Sequence, residues 1–222
     1  ANVLSIYNKA TASYQRVFEV LETTPQVENQ GSYSTLIPDE KMIEFKDVNF
    51  GYLQKDVLHN LSFTINKGET IGIIGGTGSG KTTLVHMIPR FYDVTKGSVK
   101  VVGVDVRDMT QHDLRERIGY VPQKGVLFSG TIDSNIRYGK TDISETEVKE
   151  AAEVAQATEF IDAKPEQYAS PIAQGGTNVS GGQKQRLSIA RAIAKKPEIF
   201  IFDDSFSALD FKTDSTLRKA LK

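Results

Sequence analysis

Apolar positions change their period along this chain, and each change marks an element. Leu4, Tyr7, Tyr14, Phe18 and Leu21 recur at spacings of three, four and seven, which predicts a helix over residues 1 to 22. The stripe is narrow, as on a helix that packs along one neighbour. Thr23-Thr24-Pro25 ends it, and residues 28 to 40, polar with Gly31, Ser32, Ser34 and Pro38, read as a linker. From Met42 the period falls to two, and segments 42–50, 57–65 and 98–104 predict strands. The run Thr70-Ile71-Gly72-Ile73-Ile74 is short and apolar, as a buried strand is. A glycine loop follows it, then a predicted helix from Thr82 to Arg90. Residues 143 to 162 predict one or two helices, 182 to 195 a helix, and 198 to 202 a buried strand. Strand–loop–helix units of this kind imply an α/β domain with a mainly parallel sheet.

Composition narrows this little. The chain has 222 residues, 39% hydrophobic and 25% charged, enough to bury a real core. The net charge of −1 gives no bulk attraction to nucleic acid or an acidic membrane, so an anionic ligand needs local positive groups. Cysteine is absent, which excludes disulfides and thiol chemistry and fits a reducing compartment. No apolar run approaches the roughly 18 to 20 residues of a membrane helix, and no signal-peptide pattern opens the chain. A start at Ala1 and an end at Lys222, inside a helical-looking pattern, read as a fragment of a longer polypeptide.

The first chemistry lies in Gly75-Gly76-Thr77-Gly78-Ser79-Gly80-Lys81-Thr82, followed by Thr83. The stretch fits G-x-x-x-x-G-K-S/T, after a predicted strand and before a predicted helix, which is the context that pattern requires. Glycines let the backbone wrap closely, so that N–H groups point at phosphate oxygens. Lys81 is suited to the β- and γ-phosphates and the Thr82 hydroxyl to Mg2+. A second stretch, Ile199 to Asp210, reads IFIFDDSFSALD. Alone, an apolar run ending in Asp is most often a strand with a helix cap. Paired with the phosphate loop, Asp203 becomes a candidate to hold Mg2+ opposite Thr82. Asp204 stands where an attacking water could be polarised. Together these residues predict a nucleoside triphosphatase.

A second glycine motif, Ser180-Gly181-Gly182-Gln183, opens the helix that runs through Leu187 to Ala194. It is either an ordinary N-cap or a second anion-binding helix start, which with phosphates already cradled at residues 75 to 82 implies another nucleotide.

With these motifs in this order, residues 42 to 222 resemble the nucleotide-binding domain of ABC transporters. The resemblance implies a P-loop NTPase core with a mainly parallel sheet, an antiparallel β subdomain and a helical subdomain at about 124–181. It also assigns roles. Tyr52, in Phe50-Gly51-Tyr52, matches the aromatic that stacks on adenine. Gln123, in Tyr120-Val121-Pro122-Gln123, matches the glutamine that senses Mg2+ and the attacking water. Ser180, Gly181, Gly182 and Gln183 match the signature that meets the partner's ATP, with Val179 in place of the usual leucine. Asp203 matches the Mg2+ aspartate. Ser207, Ala208, Leu209 and Asp210 match the loop that crosses the dimer interface. Val126 to Ile132, followed by Asn135-Ile136, resembles the exporter branch. There, residues 1–28 correspond to the cytoplasmic end of the last transmembrane helix and 29–41 to a linker. The implied cofactors are ATP and Mg2+. The implied partners are a second nucleotide-binding domain and a transmembrane domain of the same polypeptide, with no nucleic acid. The implied location is the cytoplasmic face of the cell membrane.

Departures from the family sharpen the expectation. Hydrolysing members usually carry Glu where this chain has Asp204, one methylene shorter. A displacement near 1 Å can cost on the order of a hundredfold in rate, which predicts firm binding and slow hydrolysis at this chain's own site. Ala173-Gln174-Gly175-Gly176 replaces the Gly-Glu-Arg-Gly frequent in exporters, which implies different coupling to the membrane domain. The three histidines, His59, His86 and His112, all lie upstream of the interface loop, so the family's switch histidine is not among them. The combination resembles the degenerate-site half of a heterodimeric multidrug exporter, which lends an intact signature to its partner. The alternatives are a homodimeric exporter in which Asp suffices, a non-hydrolysing regulatory half, and a soluble ABC ATPase without a membrane partner.

Overall fold

The computed structural model describes residues 2–29, 31, 41–53, 55–140, 142–207 and 209–220. Most of the predicted 29–41 linker, and Ala208 of the interface loop, lie outside them. Helix α1 (Asn2–Glu22) forms where its stripe predicts and ends before Pro25. Its apolar side chains, including Tyr14 and Phe18 in a stacked pair, remain exposed.

Long strands β1 (Lys41–Tyr52) and β2 (Lys55–Asn66) pair antiparallel, and β1 also pairs antiparallel with β3 (Lys96–Val101). The burial pattern of β1 changes phase midway: Ile43 and Phe45 point inward, then Val48 and Phe50. A bulge at Asp47, with φ of 50°, inserts the residue that shifts the phase. The Ser62 hydroxyl bonds the Asp47 backbone N–H and carboxylate there. The strand predicted over 98–104 is a hairpin instead. Val102 and Gly103 both take positive φ, as a tight two-residue turn requires, and β4 (Val104–Asp105) returns to complete the four-stranded order β2-β1-β3-β4.

Helix α2 (Lys81–Met87) packs beneath this sheet through Leu84, Val85 and Met87. Helix α3 (Gln111–Glu116) starts at Thr110, whose side chain accepts from the Asp113 N–H. The parallel pair is β5 (Ile118–Val121) with β8 (Ile199–Phe202), in register Ile118↔Ile199 to Val121↔Phe202. This pair separates two cores. Ile118, Ile199 and Ile201 belong to the core of the antiparallel sheet, whereas Val121 and Phe202 face the helical one.

The second core gathers a short antiparallel pair, β6 (Gly130–Thr131) with β7 (Pro171–Ile172), and four helices. These are α4 (Ile132–Ile136), α5 (Glu145–Val154), α6 (Thr158–Asp162) and α7 (Gly181–Ala194). Residues 143–162 thus resolve into two helices, split where Gln156 takes φ of 57°. Helix α8 (Phe211–Ala220) adds Leu217 to the same core.

The expected strand at Thr70–Ile74 does not form. Ile71, Ile73 and Ile74 are 50%, 42% and 96% exposed, and no ladder bonds join this run to β8. A strand needs a neighbour to satisfy its backbone, and among the described residues β8 pairs with β5 alone.

Candidate functional site

The phosphate loop ends at Gly80, which takes φ of 89° before α2 begins. A Cβ there would meet Val57 Cγ1 at 3.0 Å and Leu58 Cδ2 at 3.3 Å, so both conformation and space demand glycine. The outer side of the loop is open, because a Cβ at Gly76 or Gly78 would touch nothing within 4 Å. Lys81 donates from Nζ to the Gly75 and Gly76 carbonyls at 2.7 and 2.9 Å, which lays its ammonium along the loop. That places a positive charge where the overall balance supplies none.

Thr82 and Asp203 lie 121 positions apart in sequence, yet the Thr82 hydroxyl donates to Asp203 Oδ1 at 2.9 Å. The tertiary path is short. Asp203 follows β8, its N–H bonds to the Val121 carbonyl, and α2 carries Thr82 against it. A hydroxyl and a carboxylate oxygen are hard donors, so the pair fits a hard cation. Among the described residues no group of three or more His, Cys, Asp or Glu is placed to hold a metal. That donor set suits Mg2+, which is usually held by one or two protein oxygens, with phosphates and water as its remaining ligands.

Asp204 takes φ of 48°, a left-handed conformation that Asp tolerates better than most residues. Its exposed carboxylate accepts from Gln123 Nε2 at 3.0 Å. The turn beneath is fixed by buried polar groups. Ser205 donates to the Val121 carbonyl at 2.7 Å, and Gln185 of α7 donates to the Pro122 carbonyl at 3.0 Å. Gln123 and Asp204 are thereby delivered from different strands to one edge, beside Thr82 and Asp203.

Tyr52 ends β1 and reaches α2 at Thr83. Its ring meets Phe50 and Tyr92 edge-on at 4.9 and 5.2 Å, and its hydroxyl lies 3.3 Å from the Thr83 hydroxyl. Thr83 is buried, so it supports the helix rather than the open loop.

Ser180 caps α7 in a reciprocal box. Its side chain accepts from the Gln183 N–H, and the Gln183 side chain accepts from the Ser180 N–H. Gly181 and Gly182 form the first turn, and no hydrogen bond among the described residues joins this corner to the phosphate loop. Before it, Gly175 and Gly176 take positive φ, and Lys184 donates to the Gly175 carbonyl. Ser207 and Leu209 lie in the turn after β8, and Asp210 accepts from the Thr213 N–H at 3.0 Å to start α8.

Two residues to which the sequence assigned no role also join the site. Tyr120 donates to Asp203 Oδ2 at 3.2 Å, and His86 Nε2 lies 3.0 Å from the Tyr120 hydroxyl. Burial, and then the nearby Asp203 charge, push the Tyr120 phenol upward, so it remains a donor. Burial pulls the His86 imidazole below its ordinary value, against the pull of Asp203. His86 sits four residues after Thr82 on α2, a helical spacing visible in the sequence.

A separate cavity of about 220 Å³ is lined by Phe91, Arg115, Tyr120, Tyr138, Arg191 and Lys195, among others. Burial lowers the proton affinity of Arg115, Arg191 and Lys195 there. It includes no residue of the phosphate loop.

Comparison with known proteins agrees with this geometry. The ABC transporter family pattern matches residues 58–207, which contain the phosphate loop, Gln123, the Ser180–Gln183 turn and both aspartates. The chain is 40% identical over 222 residues to an ATP-dependent lipid A-core flippase of Desulfotalea psychrophila, covering 100% of this chain and 39% of that protein. It is 44% identical over 221 residues to the uncharacterized ABC transporter ATP-binding protein YfiB of Bacillus subtilis, covering 99% and 38%. Over 223 residues it is 38% identical to a multidrug efflux ATP-binding/permease protein of Mycobacterium bovis, covering 100% and 19%. The chain thus spans less than two-fifths of the length of these curated relatives. Among solved structures, a bacterial Atm1-family ABC exporter with ATP bound superposes with a TM-score of 0.87 at 34% identity, covering 96% of this chain and 38% of the other. By sequence pattern, relatives and fold, this chain belongs to the ABC transporter family, as a nucleotide-binding domain of the exporter type.

Proposed function

We propose that this chain binds and hydrolyses ATP to drive export across a membrane, by closing on a second nucleotide-binding domain. The observation that carries the reading is the convergence of Thr82, Asp203, Gln123 and Asp204 beside the phosphate loop, from three segments of the chain. In this reading Gly75 to Thr82 cradle the phosphates, with Thr83 supporting them from within α2, Lys81 leaves the loop carbonyls for the β- and γ-phosphates, and Tyr52 offers its ring to adenine. Thr82 and Asp203, with Gln123, would hold Mg2+, which when bound neutralises developing charge on the phosphates. Asp204 accepts the proton of an attacking water that Gln123 helps to orient. The Ser180–Gln183 turn meets the ATP of the partner, and residues 207–210 line the junction.

The finer proposal is a heterodimer in which this chain holds the slow site. Aspartate reaches less far than the glutamate usual in the family, and a 1 Å displacement can cost about a hundredfold. The membrane domain is then supplied by the same polypeptide, with this domain on the cytoplasmic face. Among the described residues no helix is long and apolar enough to cross a membrane.

Titration of the chain with a fluorescent ATP analogue tests the core of this reading. Lys81→Ala removes charge-assisted bonds worth about 1.5–3 kcal/mol, so affinity should fall roughly ten- to a hundredfold. Unchanged affinity in that variant, or no ATP binding by the wild-type chain, would refute it. ATP-dependent association with a second nucleotide-binding domain, followed by light scattering, tests the pairing.

A further inference from the structure

Asp203 is anchored by Tyr120, which His86 holds in turn, and the sequence assigns a role to neither. Asp203 is nearly buried, and each of its carboxylate oxygens has its own donor: Thr82 at Oδ1 (2.9 Å) and Tyr120 at Oδ2 (3.2 Å). The parallel register explains the second contact. Tyr120 sits opposite Ile201, and Asp203, two residues on and just past the end of β8, continues that face. Three residues beyond Tyr120 the same segment delivers Gln123.

Tyr120 is itself held. Its hydroxyl hydrogen is committed to Asp203, so its oxygen must accept from His86 Nε2 at 3.0 Å. That bond places the imidazole proton on Nε2 and leaves Nδ1 as a bare lone pair. His86 Nδ1 is buried without a partner, as this tautomer tolerates best. Phe91 and Tyr120 meet the His86 ring edge-on, and Tyr92 stacks on it, which fixes its orientation.

We propose that Tyr120, oriented by His86, is a positioning residue for Asp203: it occupies Oδ2 and leaves Oδ1 facing Thr82 and the metal. The inference rests on the reading of Asp203 and Thr82 as Mg2+ ligands. The tether also ties the segment carrying Gln123 to the metal carboxylate, so both approach the phosphate loop as one unit.

The test uses the 222-residue chain with saturating ATP and Mn2+ as a spectroscopic probe, titrated by electron paramagnetic resonance. Tyr120→Phe keeps the ring and removes one donor, so Mn2+ affinity should fall about tenfold, as loss of a group supporting a metal ligand does. Affinity for ATP in chelator, without metal, should stay at the wild-type value. His86→Phe should weaken Mn2+ in the same direction, and His86→Gln, which keeps an N–H donor, should restore it. Unchanged Mn2+ affinity in Tyr120→Phe, an equal loss of metal-free ATP affinity, or failure of His86→Gln to exceed His86→Phe would each overturn the proposal. Asp203→Asn separates the two levels. If it leaves Mn2+ affinity intact, the metal reading itself fails; if it weakens Mn2+ while Tyr120→Phe does not, only the positioning role fails.

Discussion

Replacing Asp204 with Glu tests how far one methylene governs this site. The added carbon carries the carboxylate outward by about one bond, roughly 1.5 Å. Asp204 Oδ2 now accepts from Gln123 at 3.0 Å, so the longer side chain must push that amide outward or pass beyond it. Either way its oxygen reaches further toward the position of an attacking water. A 1 Å misplacement accounts for about a hundredfold in rate, equal to about 2.7 kcal/mol of barrier. The substitution has a separate cost, because Asp204 takes φ of 48° and Glu tolerates that region less well than Asp. A loss of about 1 kcal/mol of stability would lower Tm by roughly 2–4 °C in a chain of this size. The assay is single-turnover ATP hydrolysis by the assembled transporter, with the partner site disabled so that only this phosphate loop reports. The expected result is a ten- to hundredfold faster step together with a slightly lower Tm. If ATP still occupies the site and the rate does not rise, the reach argument is wrong, and with it the case for a slow site.

Two further outcomes follow from the structure. Gly80→Ala should destabilise the chain by about 2 kcal/mol, a drop of roughly 4–8 °C in Tm, because Ala resists positive φ and its Cβ would press on Val57; a melt unchanged from wild type would contradict the loop geometry. Lys196, and then the Ser144 cap, hold the Glu147 carboxyl down at about 2, so its stabilisation is complete above the ordinary carboxylate value and disappears as pH falls through about 2. Carboxyl titration by NMR should show this, Lys196→Ala should move the transition upward, and an ordinary value in the wild-type chain would refute the contact.

Local features of the site were legible because their physics is local. The phosphate loop declares itself through glycine spacing, and the start of α7 through a serine set directly before two glycines. Period-two alternation located β1 and β2. The Asp47 bulge, the turn at Val102–Gly103 and the break at Gln156 were not legible, because each rests on a non-glycine residue in a left-handed conformation that its neighbours impose. His86 carried one weak sign, its helical spacing from Thr82, but nothing in the sequence pointed to Tyr120 as its partner.

The contrast between two apolar runs shows where the division lies. Thr70–Ile74 and Ile199–Phe202 look alike as sequences, yet only the second forms a strand, because β5 lies beside it to complete its backbone hydrogen bonds. Sequence alone determined which chemical groups this chain owns: a phosphate cradle, a helix start rich in glycine, and two adjacent acids with the second one carbon short. Tertiary structure alone decided which of them meet. Thr82 reaches Asp203, Gln123 reaches Asp204, and Tyr120 with His86 closes behind the metal carboxylate. Those contacts depend on strand register and on the common core that buries α2 with Ile199 and Ile201 of β8, which are set by the burial of side chains distant in sequence.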